Sequence, residues 1–328
     1  MRLRITSGGV STEAWTLTDR VVWSGSKSRA ARGLEFGLLV STGDPGQPAV
    51  DCPLGAQAEL LDDNGEVLFL GIVVARTAAT GDALVRVTAM DRGIYLANND
   101  GTYVFRGTTP EAGVRQMCED YGIPVGDLAA TGISVRRKFA GVSLWDIAST
   151  LYTLAAEQNG KRYMVRFRGG GLTVAERTES AASVVIRPGS NLRGASTTES
   201  IEAMRNSVAI YDSSGNLIQT IEDEDARALY GLMQEHLTQR EGEDAAPEAR
   251  AILEDNGVAQ SVTVTCSGDT WIITGETVAV EDPETGLTGI FWVDADTHTW
   301  QGGDYTLRLT LNCRNVIETG NSGSEVDE

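Results

Sequence analysis

Histidine and cysteine are scarce in this 328-residue chain, with two of the first and four of the second. Cys52, Cys118, Cys266 and Cys313 stand singly and no CxxC pair exists. That excludes the usual zinc spacings and a disulfide framework, and it predicts buried, reduced thiols. Long apolar runs are absent as well. The longest, Leu68 to Ala75, is less than half of the ~20 residues a bilayer span needs. The first twenty residues hold no stretch of signal-peptide length, so a soluble chain without membrane insertion is expected. Long basic runs are also missing. Lys and Arg number 27 against 46 Asp and Glu, a net charge of −19, and such a surface repels phosphate backbones. Specific nucleic-acid binding is thereby excluded. What is present, 41% hydrophobic and 22% charged residues, is ordinary globular composition for about two or three domains.

The chain opens with β-type patterns at Trp15 to Trp23, Leu34 to Val40, Ala56 to Leu61, Val67 to Ala75 and Leu84 to Met90. Turn chemistry separates them at Gly43-Asp44-Pro45-Gly46, Asp63-Asn64-Gly65 and Thr80-Gly81-Asp82. Residues 1–100 therefore read as a small antiparallel β domain. Thr108-Thr109-Pro110-Glu111 has capping-box spacing and predicts a helix with Val114, Met117, Cys118 and Tyr121 on one face, stopping at Gly122. Ser143, with Asp146 three residues on, predicts a second helix. Its stripe is Leu144, Ile147, Ala148, Leu151, Leu154 and Ala155, and Asn159-Gly160 ends it. A hairpin follows over Arg162 to Arg168 and Leu172 to Ala175, so 101–190 reads as an α+β domain.

From 191 to 317 strands return, at Ser207 to Tyr211, Gln260 to Cys266, Thr277 to Val280, Thr288 to Asp294 and Asp304 to Arg314. In the last of these Tyr305, Leu307, Leu309, Leu311 and Cys313 alternate strictly with polar residues, which predicts one buried face. A helical insertion is expected over about 222–256, with acidic residues at its start and Ala226, Leu229, Tyr230, Met233 and Leu237 on one side. The end, 318–328, is polar and reads as a flexible tail. The expected fold class is mainly β with an α+β portion.

Chemistry is sparse. His236, on the acidic insertion, reads as a half-buried side chain. Asp294, Asp296 and His298 stand at alternate positions, which on a strand aims all three at one face and would suit a metal or acid–base site. A strand end whose Asp and Thr cap backbone groups accounts for the same run. No G-x-S-x-G is present, and Gly169-Gly170-Gly171 lies between strands, where it makes a turn and no phosphate cradle. No catalytic, cofactor-binding or metal residue is therefore assigned. The six tryptophans, at 15, 23, 145, 271, 292 and 300, read mostly as core.

Several runs are nevertheless familiar together. They are Val21-Val22-Trp23-Ser24-Gly25-Ser26-Lys27-Ser28-Arg29-Ala30-Ala31-Arg32-Gly33-Leu34-Glu35-Phe36, Ala89 to Asn99, Cys118 to Gly126, Arg205 to Asp212 and Trp292 to Trp300. In this order they resemble the XkdQ-like family of phage tail proteins, from about 15 to 317. The resemblance implies a structural baseplate hub of a contractile tail, similar to that of the T-even phages, with two β-barrel-like tube domains at 1–100 and 191–317. It implies a homotrimeric ring joining a hexameric tail tube protein to a trimeric central spike protein. Further partners would be the tape measure protein and other baseplate proteins, such as a LysM-type tail protein and the wedge, with transient passage of DNA. The place implied is the virion or tail particle, assembled in the host cytoplasm. Other readings are a distal tail or tube-completion protein, or a tail-associated cell-wall hydrolase.

Overall fold

A computed structural model describes residues 1–39, 50–168, 170–177, 184–239, 244–313 and 320–326. The turn expected at Gly43 to Gly46 and the first glycine of Gly169 to Gly171 lie outside them. The chain begins with β1 (Arg2–Ser7), β2 (Val10–Glu13), β3 (Thr18–Ser26), β4 (Gly33–Leu39), β5 (Gln57–Leu61), β6 (Val67–Thr77) and β7 (Leu84–Asp91). Next come α1 (Gly93–Asn98), β8 (Asp100–Thr108), α2 (Pro110–Asp120), β9 (Val125–Leu128), β10 (Val135–Ser143), α3 (Leu144–Asn159), β11 (Tyr163–Arg168) and β12 (Gly171–Glu176). The remainder holds β13 (Val185–Ile186), β14 (Leu192–Ser200), β15 (Ser207–Tyr211), β16 (Leu217–Glu222), α4 (Glu224–Tyr230), β17 (Gln234–Thr238) and α5 (Ala246–Asp255). It ends with β18 (Ala259–Cys266), β19 (Thr277–Asp282), β20 (Leu287–Gln301) and β21 (Asp304–Asn312). The architecture is mainly β with an α+β portion, as expected.

Strands from both ends of the chain pair in one sheet of thirteen strands. Its main path is β14-β18-β21-β20-β3-β4-β7-β6-β5-β1-β2. Residues 1–100 and the C-terminal strands, separated in the sequence reading, are thus joined edge to edge. The joint is the antiparallel pair β20–β3, which sets Asp296 opposite Gly25 and His298 opposite Trp23. On the N-terminal strands of this sheet a hydrophobic core buries Leu3, Leu34, Phe36, Leu60, Val73 and Val87. The Asp63-Asn64-Gly65 turn links β5 to β6, with Gly65 at φ 89. Trp15–Leu17 form a 3-10 turn, so the strand expected from Trp15 starts at Thr18.

The α+β portion packs α2 and α3 together and against β8, β10 and β11, with Val114, Met117, Cys118, Phe139, Leu144, Ile147 and Leu151 buried. At the start of α3 the Ser143 hydroxyl accepts from Asp146 N at 3.1 Å and donates to the Asp146 carboxylate at 2.8 Å. Its last turn closes on Gly160 at φ 72. The box expected on α2 does not form. Thr109 makes no side-chain cap, and Glu111 instead accepts from Thr131 N and Oγ1 at 3.3 and 3.1 Å. Tyr121 is exposed and donates its hydroxyl proton to Asp100 O, off the buried face.

The tail expected to be flexible from 318 is instead docked over 320–326. Lys138 and Ser324 exchange two backbone hydrogen bonds at 2.8 and 2.9 Å, and Gly320 N and Ser322 N donate to Thr153 Oγ1 and Thr150 Oγ1. Backbone groups make these contacts, so a polar composition carried no sign of them.

The chain divides into two compact units, Met1–Ala195 with Thr263–Glu328, and Ser196–Val262. In the second, β16-β15-β17 form a three-stranded sheet with α5 packed on Val208 and Ile210. Helices do fall within 222–256, but the expected continuous face does not exist. Gly231, at φ 84, ends α4, and Leu237 lies on β17, parallel to β15 and opposite Ile210.

Leu151 is fully buried in the α2–α3 core and Leu154 only in part. Leu151→Ala should cost about 2–5 kcal/mol and Leu154→Ala clearly less, in urea unfolding of the whole chain.

Candidate functional site

The run that attracted attention in the sequence occupies the interior of β20, where the strand passes between β21 and β3. Asp296 and His298 point to the buried side. Asp294 does not join them, because the register slips between Val293 and Ala295 and leaves Asp294 as the extra residue of a bulge. It pairs with Lys27, Nζ to Oδ2 at 2.8 Å, while Lys27 N donates to Asp294 O at 2.9 Å. The expectation of a strand end or turn is corrected: these are mid-strand residues.

Asp296 carries the charge at the centre. Arg32, from the loop between β3 and β4, donates Nη1 to Oδ1 at 2.9 Å and Nη2 to Oδ2. Thr274 donates both N and Oγ1 to Oδ1 at 2.7 Å each. His298 Nε2 stands 3.2 Å from Oδ2, at ion-pair distance but without an aligned hydrogen bond. Its Nδ1 is 2.8 Å from the Tyr305 hydroxyl. The carboxylate beside Nε2 favours the proton there, which assigns Nδ1 as acceptor from Tyr305.

Burial by itself would raise the Asp296 carboxyl. The Arg32 guanidinium and the hydrogen bonds outweigh it and hold the group well below the usual carboxylate range. The largest influence on His298 is also burial, which lowers its pKa against the pull of Asp296, so the ring is neutral at pH 7. Burial likewise raises the Tyr305 hydroxyl and keeps it protonated.

Aromatic rings close the site. Trp23 lies 4.8 Å from the His298 ring and carries the Arg32 guanidinium 4.3 Å above its own ring. Trp300 stacks on Tyr305 at 5.1 Å and meets Trp15 edge-on at 6.2 Å. Gly25 makes room: a Cβ there would come within 2.1 Å of Arg32 Nη1. The Arg32 loop is tied at its far end as well, since Asp91 N donates to Arg32 O at 3.1 Å and Asp91 Oδ1 accepts from Gly93 N at 2.8 Å. Burial pushes the Asp91 carboxyl up to about 7, against the backbone N–H groups of Gly93 and Arg32 and the Arg32 charge.

This arrangement binds loop to sheet and offers little to a substrate. The ring nitrogens of His298 face Asp296 and Tyr305, and both His298 and Asp296 are fully buried. Among the described residues no group of three or more His, Cys, Asp and Glu side chains is placed to hold a metal ion, and no helix is long and apolar enough to cross a membrane. His236 is exposed on β17, its ring 4.4 Å from that of Tyr211, and neither on a helix nor half-buried. Cys52, Cys118 and Cys266 are buried as expected, while Cys313 lies beyond the end of β21 and is exposed.

A family model described as YQBQ-like matches residues 21–312. The chain belongs to the YQBQ-like family. It is 24% identical over 313 residues to the phage-like element PBSX protein XkdQ of Bacillus subtilis, covering 93% of this chain and 95% of that protein. In fold it is similar to the 43 kDa tail protein of prophage MuSo2 from Shewanella oneidensis, with a TM-score of 0.73 at 14% identity over 95% of this chain and 97% of that one. It is also similar to an Escherichia coli type VI secretion component that exhibits structural similarity to the T4 bacteriophage tail proteins gp27 and gp5. That match has a TM-score of 0.53 at 10% identity, over 94% and 76% of the two chains.

In this YQBQ-like chain Arg32, Thr274, Trp23 and Tyr305 complete the cluster, and none was singled out as a site residue. Two of them, Trp23 and Arg32, fall inside the run Val21 to Phe36 that carried the family resemblance. Thr274 had no signal at all.

Asp296→Asn should cost about 3–5 kcal/mol, because it strands a buried guanidinium. Asp296→Leu combined with Arg32→Met should recover most of that loss in the same denaturation assay. Asp91 gives a pH signature. Its carboxyl rises from 3.8 unfolded to about 7 folded, so between these values the folded state holds a proton the unfolded state has lost. Its contribution to stability is full below pH ~3.8 and is lost as pH rises through 7. Asp91→Asn should remove that decline, so its stability relative to the parent increases from pH 4 to 7.

Proposed function

We propose that this chain is a structural baseplate hub of a contractile tail. Three copies close a ring that adapts a hexameric tail tube to a trimeric spike and lines the channel between them. The observation that carries this reading is similarity over nearly the whole of this chain: a prophage tail protein shares the fold from end to end, and a secretion component itself similar to gp27 and gp5 matches 94% of this chain over 76% of its own. The relative XkdQ, from a phage-like element, points the same way in sequence.

The physics of the chain suits that role. A hub must keep its shape under load, and a sheet that unites strands from both ends of the chain passes force through many parallel hydrogen bonds. The Arg32–Asp296 pair clamps the β3–β4 loop across the joint of that sheet. A net charge of −19 suits a channel wall that must not hold passing DNA. Tube, spike, tape measure and neighbouring baseplate proteins are the partners under this reading, in a particle assembled inside the host cell. No step of chemistry is required of it, in keeping with relatives that are tail proteins.

Co-expression with the neighbouring tube and spike proteins tests the assignment through native mass and negative-stain images. The expected result is a three-copy ring attached to either partner. A monomer that binds neither overturns the reading.

A further inference from the structure

Residues 196–262 make up a fifth of the chain yet carry more than half of its net charge of −19, with fourteen carboxylates against four arginines. Two of those arginines are consumed internally, Arg205 by Glu235 at 2.8 Å and Arg227 by Glu222. Against this background α4 is anomalous. It has seven residues and none is buried, although a helix that short depends on packing for its stability.

Three large apolar residues instead face water on it and just beyond it: Leu229 is 72% exposed, Leu232 54% and Tyr230 37%. Beside them Asp223, Glu224 and Asp225 are exposed, and neither Glu224 nor Asp225 has an ion-pair partner among the described residues.

Hydrogen bonds, not packing, hold this helix. The Asp223 carboxylate caps Ala226 N at 2.9 Å. Buried Asn206 clips both ends. Its backbone O accepts from Asp223 N at 2.9 Å, its Nδ2 donates to Gly231 O at 2.6 Å and its Oδ1 accepts from Met233 N at 2.8 Å. An apolar face with an acidic flank is thus held ready in one conformation at the surface, the preorganisation that lowers the cost of binding.

We propose that α4 and its exit turn, with Leu229, Tyr230 and Leu232 as anchors and Glu224 and Asp225 as flank, dock a basic amphipathic segment of another protein. Charge decides the occupant. A second copy of this face would bring like charges together, and a nucleic acid would be repelled, whereas lysines flanking leucine-type residues match both the flank and the apolar anchors. The inference does not rest on the hub assignment.

The test uses the full chain and a labelled helix-forming peptide with one lysine face and one leucine face, followed by fluorescence anisotropy. The expected result is saturable binding that weakens with salt. It should fall about tenfold or more in the pair Leu229→Ser with Leu232→Ser, and likewise in the pair Glu224→Lys with Asp225→Lys. The charge-reversed pair should acquire binding to the same peptide with glutamate in place of lysine. Leu217→Ser with Ile218→Ser, which removes the exposed apolar pair on β16, should change nothing. No binding to the parent chain, an equal loss in the Leu217 and Ile218 variant, or undiminished binding after loss of Leu229 and Leu232 would each overturn the proposal. So would a self-associated parent chain that becomes monomeric on loss of Leu229 and Leu232, since a second copy would then occupy the face.

Discussion

A carboxylate with no access to water is tolerable only if its surroundings replace the water, and much of the large unit is arranged so that they do. Asp296 receives two donors from Arg32 and two from Thr274, with the His298 ring beside it. The donors come from two places in the chain, the β3–β4 loop and the approach to β19, and the acceptor sits on β20. Satisfying one charge therefore fixes three segments relative to each other. The pairing of β20 with β3, which joins the N-terminal and C-terminal strands, sits at the same point.

The surrounding residues follow from that requirement. Gly25 opposite Asp296 leaves space for the guanidinium, and Trp23 opposite His298 gives it an aromatic floor. Tyr305 from β21 completes the second ring nitrogen's needs. A neutral histidine held this way is a structural polar group. Its position beside a buried acid resembles catalytic geometry in residue types, but both side chains are fully buried.

Elements defined by local pattern were the legible ones. The α3 helix was complete in sequence, from the Ser143 cap through its apolar stripe to Gly160, because every determinant lies within one run of residues. The alternation of β21 was equally plain up to Leu311, though Cys313 falls past the strand's end and is exposed. The helix imagined through Met233 and Leu237 failed because helical spacing of apolar residues there competes with a strand partner. Leu237 finds Ile210 in parallel register, a contact between segments far apart in sequence. The docking of residues 320–326 on β10 and α3 was hidden for a related reason, since backbone groups make most of it.

By itself the sequence determined the balance of strand and helix, the acidic surface, the absence of paired cysteines, and a family membership carried by short runs spread along the chain. These depend on composition, periodicity and local order. Only the tertiary structure decided that Asp294 leaves the buried face, that Asp296 meets Arg32 and Thr274 while His298 meets Tyr305, and that the two β regions share a sheet. Those outcomes turn on one bulge and on contacts between separate segments, 264 positions apart for Arg32 and Asp296. Such contacts are selected by the desolvation cost of a buried charge, which acts only once the chain has closed around it.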